Sequence, residues 1–109
     1  MKTAIAILNW NGIDLLKKFL PSVINKTPEQ IDIYVIDNGS SDDSVKFIEN
    51  TFSSIKIIKL DKNYGFAKGY NIGIQRIDAE IICLLNNDIE VTASWIDPVL
   101  ELFKLEKNT

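Results

Sequence analysis

Four short apolar runs alternate with longer stretches in which apolar residues recur at helical spacing. The first run, Ala4–Leu8, is followed by Leu16, Phe19, Leu20 and Val23, an i, i+3, i+4, i+7 pattern. Pro21 interrupts that stretch and predicts a kink or an early end to the helix. The second run, Ile33–Ile36, leads through Asn38-Gly39-Ser40-Ser41-Asp42-Asp43 into a helical face marked by Val45, Ile48 and Phe52. Hydroxyls able to cap and acids favoured in a first turn stand at its start. The third run, Ile55–Leu60, is broken by Lys56 and Lys59 and precedes Phe66, Tyr70, Ile74 and Ile77, again at helical spacing. The fourth, Ile81–Leu85, carries no polar residue, and Ile96, Val99, Leu100 and Phe103 mark a last helix with Pro98 in its first turn. Strands are thus expected near residues 3–8, 32–37, 55–60 and 80–85, with a helix after each.

Strand and helix alternating four times predict an α/β fold, a Rossmann-like parallel sheet with helices on both faces. In a 3-2-1-4 strand order the third strand is an edge, which suits Lys56 and Lys59. The fourth strand is then the other edge, although its sequence reads as buried on both faces.

In an open parallel sheet, ligands bind outside the carboxyl ends of the strands. The polar clusters fall there: Asn9-Trp10-Asn11-Gly12, Asp37-Asn38-Gly39, Asp61-Lys62-Asn63-Tyr64-Gly65 and Asn86-Asn87-Asp88. Each alone could be a turn, since Asn, Asp and Gly suit turns for conformational reasons. Four converging on one edge point to a site, because the opposite loops (25–30, 51–54 and 77–80) are generic connectors. Neither G-x-G-x-x-G nor G-x-x-x-x-G-K-[ST] occurs, so a phosphate would be met by helix N-termini, by lysine or by a metal. Asp88, flanked by Asn86 and Asn87, is the metal candidate, and hard oxygen ligands suit Mg²⁺ or Mn²⁺. Asp37 can accept hydrogen bonds from a base or ribose, or can hold an Asx-turn into Gly39. Gly65, Gly69 and Gly73, spaced by four, predict close approach on one helical face, to the sheet at Gly73 and to either the sheet or a ligand at the other two.

Composition narrows the classes. The chain has 109 residues, room for one domain, with an ordinary 46% hydrophobic and 25% charged content. Twelve basic residues against fifteen acidic give a net charge of -3, which argues against nucleic-acid binding through a basic face. The absence of histidine removes imidazole ligands and Ser-His or Cys-His catalysis. Cys83 is the single cysteine, so no internal disulfide forms and a reducing compartment fits. No apolar run approaches the roughly 20 residues of a membrane span, and no signal peptide is expected at the N-terminus.

Leu8-Asn9-Trp10-Asn11-Gly12, Val35-Ile36-Asp37-Asn38-Gly39-Ser40-Ser41-Asp42, the segment from Asn63 to Gly73, and Leu84-Leu85-Asn86-Asn87-Asp88 resemble the four opening motifs of family 2 glycosyltransferases. The resemblance is nearest to the rhamnosyltransferase-like branch and spans nearly the whole chain. It implies a GT-A fold that transfers a sugar from a nucleoside diphosphate donor with inversion to a glycan or lipid-linked acceptor, in polysaccharide or cell-envelope synthesis. Carried over by position, Asn9 and Asn11 lie where the first loop passes the nucleotide, Asn9 through its backbone. Asp37 matches the acid that reads the base. Asn63, Gly65 and Gly69 sit in the segment closing over the donor. Asn86-Asn87-Asp88 takes the D-x-D position with Asp88 on the metal, and asparagine in place of the first acid leaves open whether Asn86 meets metal or ribose.

The family's catalytic base lies beyond the D-x-D segment, in the half that binds the acceptor, and no residue here matches it. Residues 1–109 are therefore expected to be the nucleotide-sugar-binding part of a glycosyltransferase without its acceptor-binding half, inactive alone. Its open fourth-strand edge would be covered by another copy or by further chain. The expected location is the cytoplasm or the cytoplasmic face of a membrane. The alternative is a stand-alone, non-catalytic nucleotide-sugar-binding or regulatory α/β module. A phosphoacceptor receiver is disfavoured, because it needs paired acids after the first strand, where Asn9, Trp10 and Asn11 stand.

Overall fold

The computed structural model describes residues 2–86. Strands β1 (Thr3–Asn9), β2 (Asp32–Asp37), β3 (Lys56–Lys59) and β4 (Ile81–Asn86) alternate with helices α1 (Ile13–Lys26), α2 (Ser44–Thr51) and α3 (Phe66–Ile74). All pairings are parallel, in the order β3-β2-β1-β4. The register sets Ala4 beside Asp32 and Asn9 beside Asp37 on one flank of β1, and Thr3 beside Ile81 and Leu8 beside Asn86 on the other. The strand order and parallel pairing match the sequence expectation. The last expected helix, around Ile96–Phe103, and Pro98 lie outside the described residues.

The period of two along each strand sorts the core into two layers. Ile5, Ile7, Ile33, Val35, Cys83 and Leu85 face α1 and α2, where Leu16, Leu20, Val23 and Ile48 cover them. Ala4, Ala6, Tyr34 and Ile36 face the other way, toward Tyr70 of α3 and Ile77. Each fully buried Ile or Leu contributes roughly 1.5–3 kcal/mol of transfer free energy, so the two layers together fix which face each helix takes.

Three local expectations are corrected. Helix α1 runs through Pro21 to Lys26 instead of ending there. Leu20 and Val23, buried on either side of Pro21, hold the helix against the sheet despite the lost backbone bond. Helix α3 ends at Ile74, so Ile77 reaches its core layer from the following turn. The fourth strand is not buried on both faces: Ile81, Cys83 and Leu85 are covered, but Leu84 is 43% exposed on the α3 side. Lys56 and Lys59 of β3 are exposed and pair with Asp32 and Glu49 at 3.1 and 3.5 Å, as an edge strand requires.

Gly73 explains how closely α3 approaches. A Cβ there would lie 2.4–2.7 Å from three side-chain carbons of Ile36, which is itself fully buried. Gly73→Ala is therefore expected to destabilise the protein by roughly 1–3 kcal/mol through overpacking, read as a lower urea midpoint at unchanged slope. Unchanged or raised stability would show that Ile36 has room to repack.

Candidate functional site

The three described loops at the carboxyl edge of the sheet are laced together by side chains. At the end of β1, Asn9 is fully buried, and its Nδ2 donates to Asp37 Oδ1 at 3.1 Å and to Ser40 Oγ at 3.3 Å. Its carbonyl accepts the Asn38 N–H at 2.7 Å. Asp37, 4% exposed at the end of β2, also accepts the Ser40 N–H on Oδ2 at 3.0 Å. The local turn bond considered for Asp37 thus closes onto Ser40, and the second carboxylate oxygen reaches across to β1. A carboxylate offers about four acceptor positions, so two contacts orient Asp37 while leaving acceptor capacity.

Asn11 adopts the left-handed region at φ 49°. This points its Oδ1 at the second loop, where it accepts the N–H groups of Ser41 and Asp42 at 2.7 and 3.2 Å. Its own N–H donates to Ser40 Oγ at 2.8 Å. Asp42 accepts the N–H groups of Ile13 and Ser44, capping both α1 and α2, and bonds the Ser44 hydroxyl. The first N–H of α2 is therefore met by the carboxylate of Asp42, two residues before the helix, while the N-cap residue Asp43 makes no side-chain cap bond. Burial alone would push the Asp42 carboxyl up, but the Ser44 and Ile13 donors outweigh it and hold the group below its usual range.

The third loop hangs on Asn38, which is 2% exposed. Its Nδ2 donates to Asn63 Oδ1 at 3.1 Å and to the Gly65 carbonyl at 3.0 Å, and its Oδ1 accepts the Tyr64 N–H at 3.0 Å. Asn63 closes its own turn by accepting the Gly65 N–H at 2.8 Å. Two glycines make room. At Gly39, φ is 75° and a Cβ would fall 2.4 Å from the Lys62 carbonyl carbon, so no side chain fits where the second and third loops touch. At Gly69 a Cβ would crowd the Asn38 amide at 2.8 Å. Gly65, at φ 84°, precedes α3 instead of lying on its face, so only Gly69 and Gly73 share that face.

The rim is mixed in character. Trp10 and Phe66 are 53% and 64% exposed. Lys62 and Lys68 set their ammonium groups over the Tyr64 ring at 5.2 and 5.3 Å. The Tyr64 hydroxyl bonds Asp61, which lowers the Asp61 carboxyl and raises the Tyr64 phenol from their ordinary values. The edge thus offers a fixed buried carboxylate, amide groups, aromatic faces and two cations, a set suited to a base, a sugar hydroxyl and a phosphate.

Asn9, Asn11, Asp37, Asn63, Gly65 and Gly69 are brought to this edge, and Asn86 ends β4 on it. Asp88 lies outside the described residues. Among the described residues, no three His, Cys, Asp or Glu side chains gather to hold a metal ion. Sequence reasoning did not single out Asn38 or Ser40 as site residues; Asn38 stands in the same Asp-Asn-Gly cluster and differs from a turn asparagine only in its long-range partners. A cavity of about 240 Å³ between Ile24, Pro28, Ile31 and Ser54 opens at the opposite end of the sheet. One of its acids, Asp32, is already paired with Lys56, so the chemistry lies at the laced edge instead. No helix among the described residues is long and apolar enough to cross a membrane.

Comparisons with known proteins agree with this geometry. Residues 4–109 match the family described as Glycosyl transferase family 2. The chain is 29% identical over 108 residues to an uncharacterized glycosyltransferase of Haemophilus influenzae, covering 96% of this chain and 33% of that protein. It is 25% identical over 95 residues to human polypeptide N-acetylgalactosaminyltransferase 13, covering 81% of this chain and 17% of that one. S. aureus TarS in complex with UDP-GlcNAc has the same fold, with a TM-score of 0.79 at 17% identity over 96% of this chain and 32% of its own. So does the mannosyltransferase PcManGT from Pyrobaculum calidifontis in complex with GDP-Man and Mn²⁺, with a TM-score of 0.73 at 16% identity over 84% of this chain and 29% of its own. The chain spans a third or less of the length of each of these proteins. With the GT-A sheet in place and the family matched over nearly the whole sequence, this chain belongs to glycosyl transferase family 2.

Proposed function

We propose that this chain forms the donor-binding half of an inverting, metal-dependent glycosyltransferase of the rhamnosyltransferase-like branch. It would act on a glycan or lipid-linked acceptor in the cytoplasm or at the cytoplasmic face of a membrane. The observation that carries the reading is the lacing of three loops around Asp37 and Asn38, which holds a buried carboxylate and neighbouring amides fixed at the edge where this fold binds ligands. Relatives of the same fold are complexed with UDP-GlcNAc or with GDP-Man and Mn²⁺, which supports a nucleotide-sugar donor and a divalent ion.

In this reading Asp37 accepts hydrogen bonds from the base, and the first loop, from Asn9 to Asn11, borders the nucleoside. Asn63, Gly65 and Gly69 shape the segment over the donor. Asp88, with Asn86 beside it, would hold Mg²⁺ or Mn²⁺ against the diphosphate. The ion supplies charge neutralisation to the departing diphosphate. Lys62 on the third loop and Lys68 in the first turn of α3 add positive charge on the same side. Inversion is a single displacement and needs a base to take the acceptor's hydroxyl proton. None of the residues assigned to the donor here supplies that group.

Calorimetry with UDP, GDP and their nucleosides, with and without Mn²⁺, tests the proposal. Asp37→Ala should weaken nucleoside binding even without metal, by about 1.5–3 kcal/mol for a charged hydrogen bond. A loss equal for all bases, accompanied by a lower melting temperature, would instead mark Asp37 as a loop anchor for Asn9 and Ser40.

A further inference from the structure

Tyr70 sits on the second turn of α3 and is 3% exposed. Its ring fills the core layer with Ala4, Ala6 and Ile36 and meets Phe66 edge-on at 5.0 Å. Packing alone would be served by phenylalanine. The hydroxyl, however, has two backbone partners on different strands: it accepts the Leu8 N–H at 3.2 Å and donates to the Leu85 carbonyl at 2.9 Å. These groups lie across the β1–β4 seam, where Leu8 is in register with Asn86. The phenol therefore sits astride the end of that ladder, one residue before the chain reaches Asn86. Burial raises the phenol above its ordinary value, so it stays protonated and able to donate.

Helix α3 is thus pinned twice. Asn38 ties the loop entering it to β2, and Tyr70 ties its second turn to β1 and β4. The base end of the edge is held by other contacts, those of Asn9, Asp37, Asn11 and Ser40, in which Tyr70 takes no part. A single hydroxyl accordingly links α3 to the carboxyl end of β4, just before Asn86.

We infer that Tyr70 is a positioning residue: its hydroxyl, bridging Leu8 and Leu85, fixes where the chain leaves β4 and so sets the diphosphate end of the donor site without touching the donor. This rests on the donor-binding reading above. A residue that merely stabilised the fold would affect nucleoside and nucleoside diphosphate alike, whereas a residue that places the β4 exit separates the two.

The experiment compares wild type and Tyr70→Phe, titrating uridine, guanosine, UDP and GDP at constant Mn²⁺. It is paired with amide hydrogen exchange, which needs no ligand. Tyr70→Phe keeps the ring and is expected to remain folded. Binding of the preferred diphosphate should fall about tenfold, the scale of one or two lost hydrogen bonds, while its nucleoside binds as before. Exchange should quicken at Leu8 and in the segment after Leu85, and stay unchanged over residues 9–12 and 38–42. Equal losses for nucleoside and diphosphate, no loss for either, or an unfolded variant would each overturn the assignment. If wild type binds neither UDP nor GDP, the donor-binding reading fails by itself. The exchange pattern then decides what is left for Tyr70: quickening confined to the β1–β4 exit upholds its hold on that exit but not a role toward donor, and uniform or absent change removes both.

Discussion

Asp88→Ala is expected to abolish the metal-dependent part of nucleoside diphosphate binding. The residue follows directly on β4, which ends at Asn86 on the carboxyl edge of the sheet, and it is the only acid in the Asn86-Asn87-Asp88 cluster. A hard divalent ion prefers anionic oxygen, and neither neighbouring asparagine supplies a charge. Asp88→Asn should therefore behave almost as alanine does, although its shape is retained. The measurement is titration of UDP and GDP with and without Mn²⁺: in wild type the ion should raise affinity, and in both variants the two titrations should coincide. Affinity that still rises with Mn²⁺ in either variant returns Asp88 to the status of a turn residue.

Asn38→Asp is expected to be strongly destabilising although it keeps the shape of the side chain. Asn38 donates twice, to the Gly65 carbonyl and Asn63 Oδ1, and is almost fully buried. An ionised carboxylate in its place faces two oxygens at hydrogen-bond distance with no donor of its own. The cost should be about 3–5 kcal/mol, the range for a buried charge left without its partner. The deficit should also depend on pH. The introduced carboxyl is driven above the ordinary value in the folded state, so the deficit is full above that raised pKa. It shrinks as the pH falls toward the unfolded value near ~3.9, because the protonated group can donate one bond again. Urea unfolding of variant and wild type at matched pH isolates this effect from the native acids, since the lowered carboxyls of Asp42 and Asp61 act on both proteins alike. A deficit independent of pH would show that the third loop detaches and leaves the group in water.

The sheet was legible because its signals are local and redundant. Apolar runs bounded by turn residues marked β1 to β4, and the lysines of β3 identified the edge. The same clusters located the ligand edge, since parallel strands bring all their carboxyl ends to one side. What the sequence concealed were partners far apart in the chain. Asn38 and Asn63 are both turn asparagines by composition, yet one closes its own turn and the other holds a loop 25 residues away. Pro21 reads as a helix breaker until the buried Leu20 and Val23 beside it are seen to hold the helix in place. Tyr70 reads as one more apolar position in a helical pattern, because a hydroxyl's partners on two strands leave no periodic trace.

The placement of β1 between β2 and β4 also bears on how the protein is made. Its first flank can pair as soon as Asp32–Asp37 has been synthesised, but its second waits for Ile81–Asn86. At about 5–20 residues per second on the ribosome, that flank stays bare for a few seconds. During this interval β1 presents unpaired backbone beside Ala4, Ile5, Ala6 and Ile7, a segment well suited to joining another nascent chain. Slowed translation between α2 and β4 should therefore lower the soluble yield of this protein more than the same delay placed after β4.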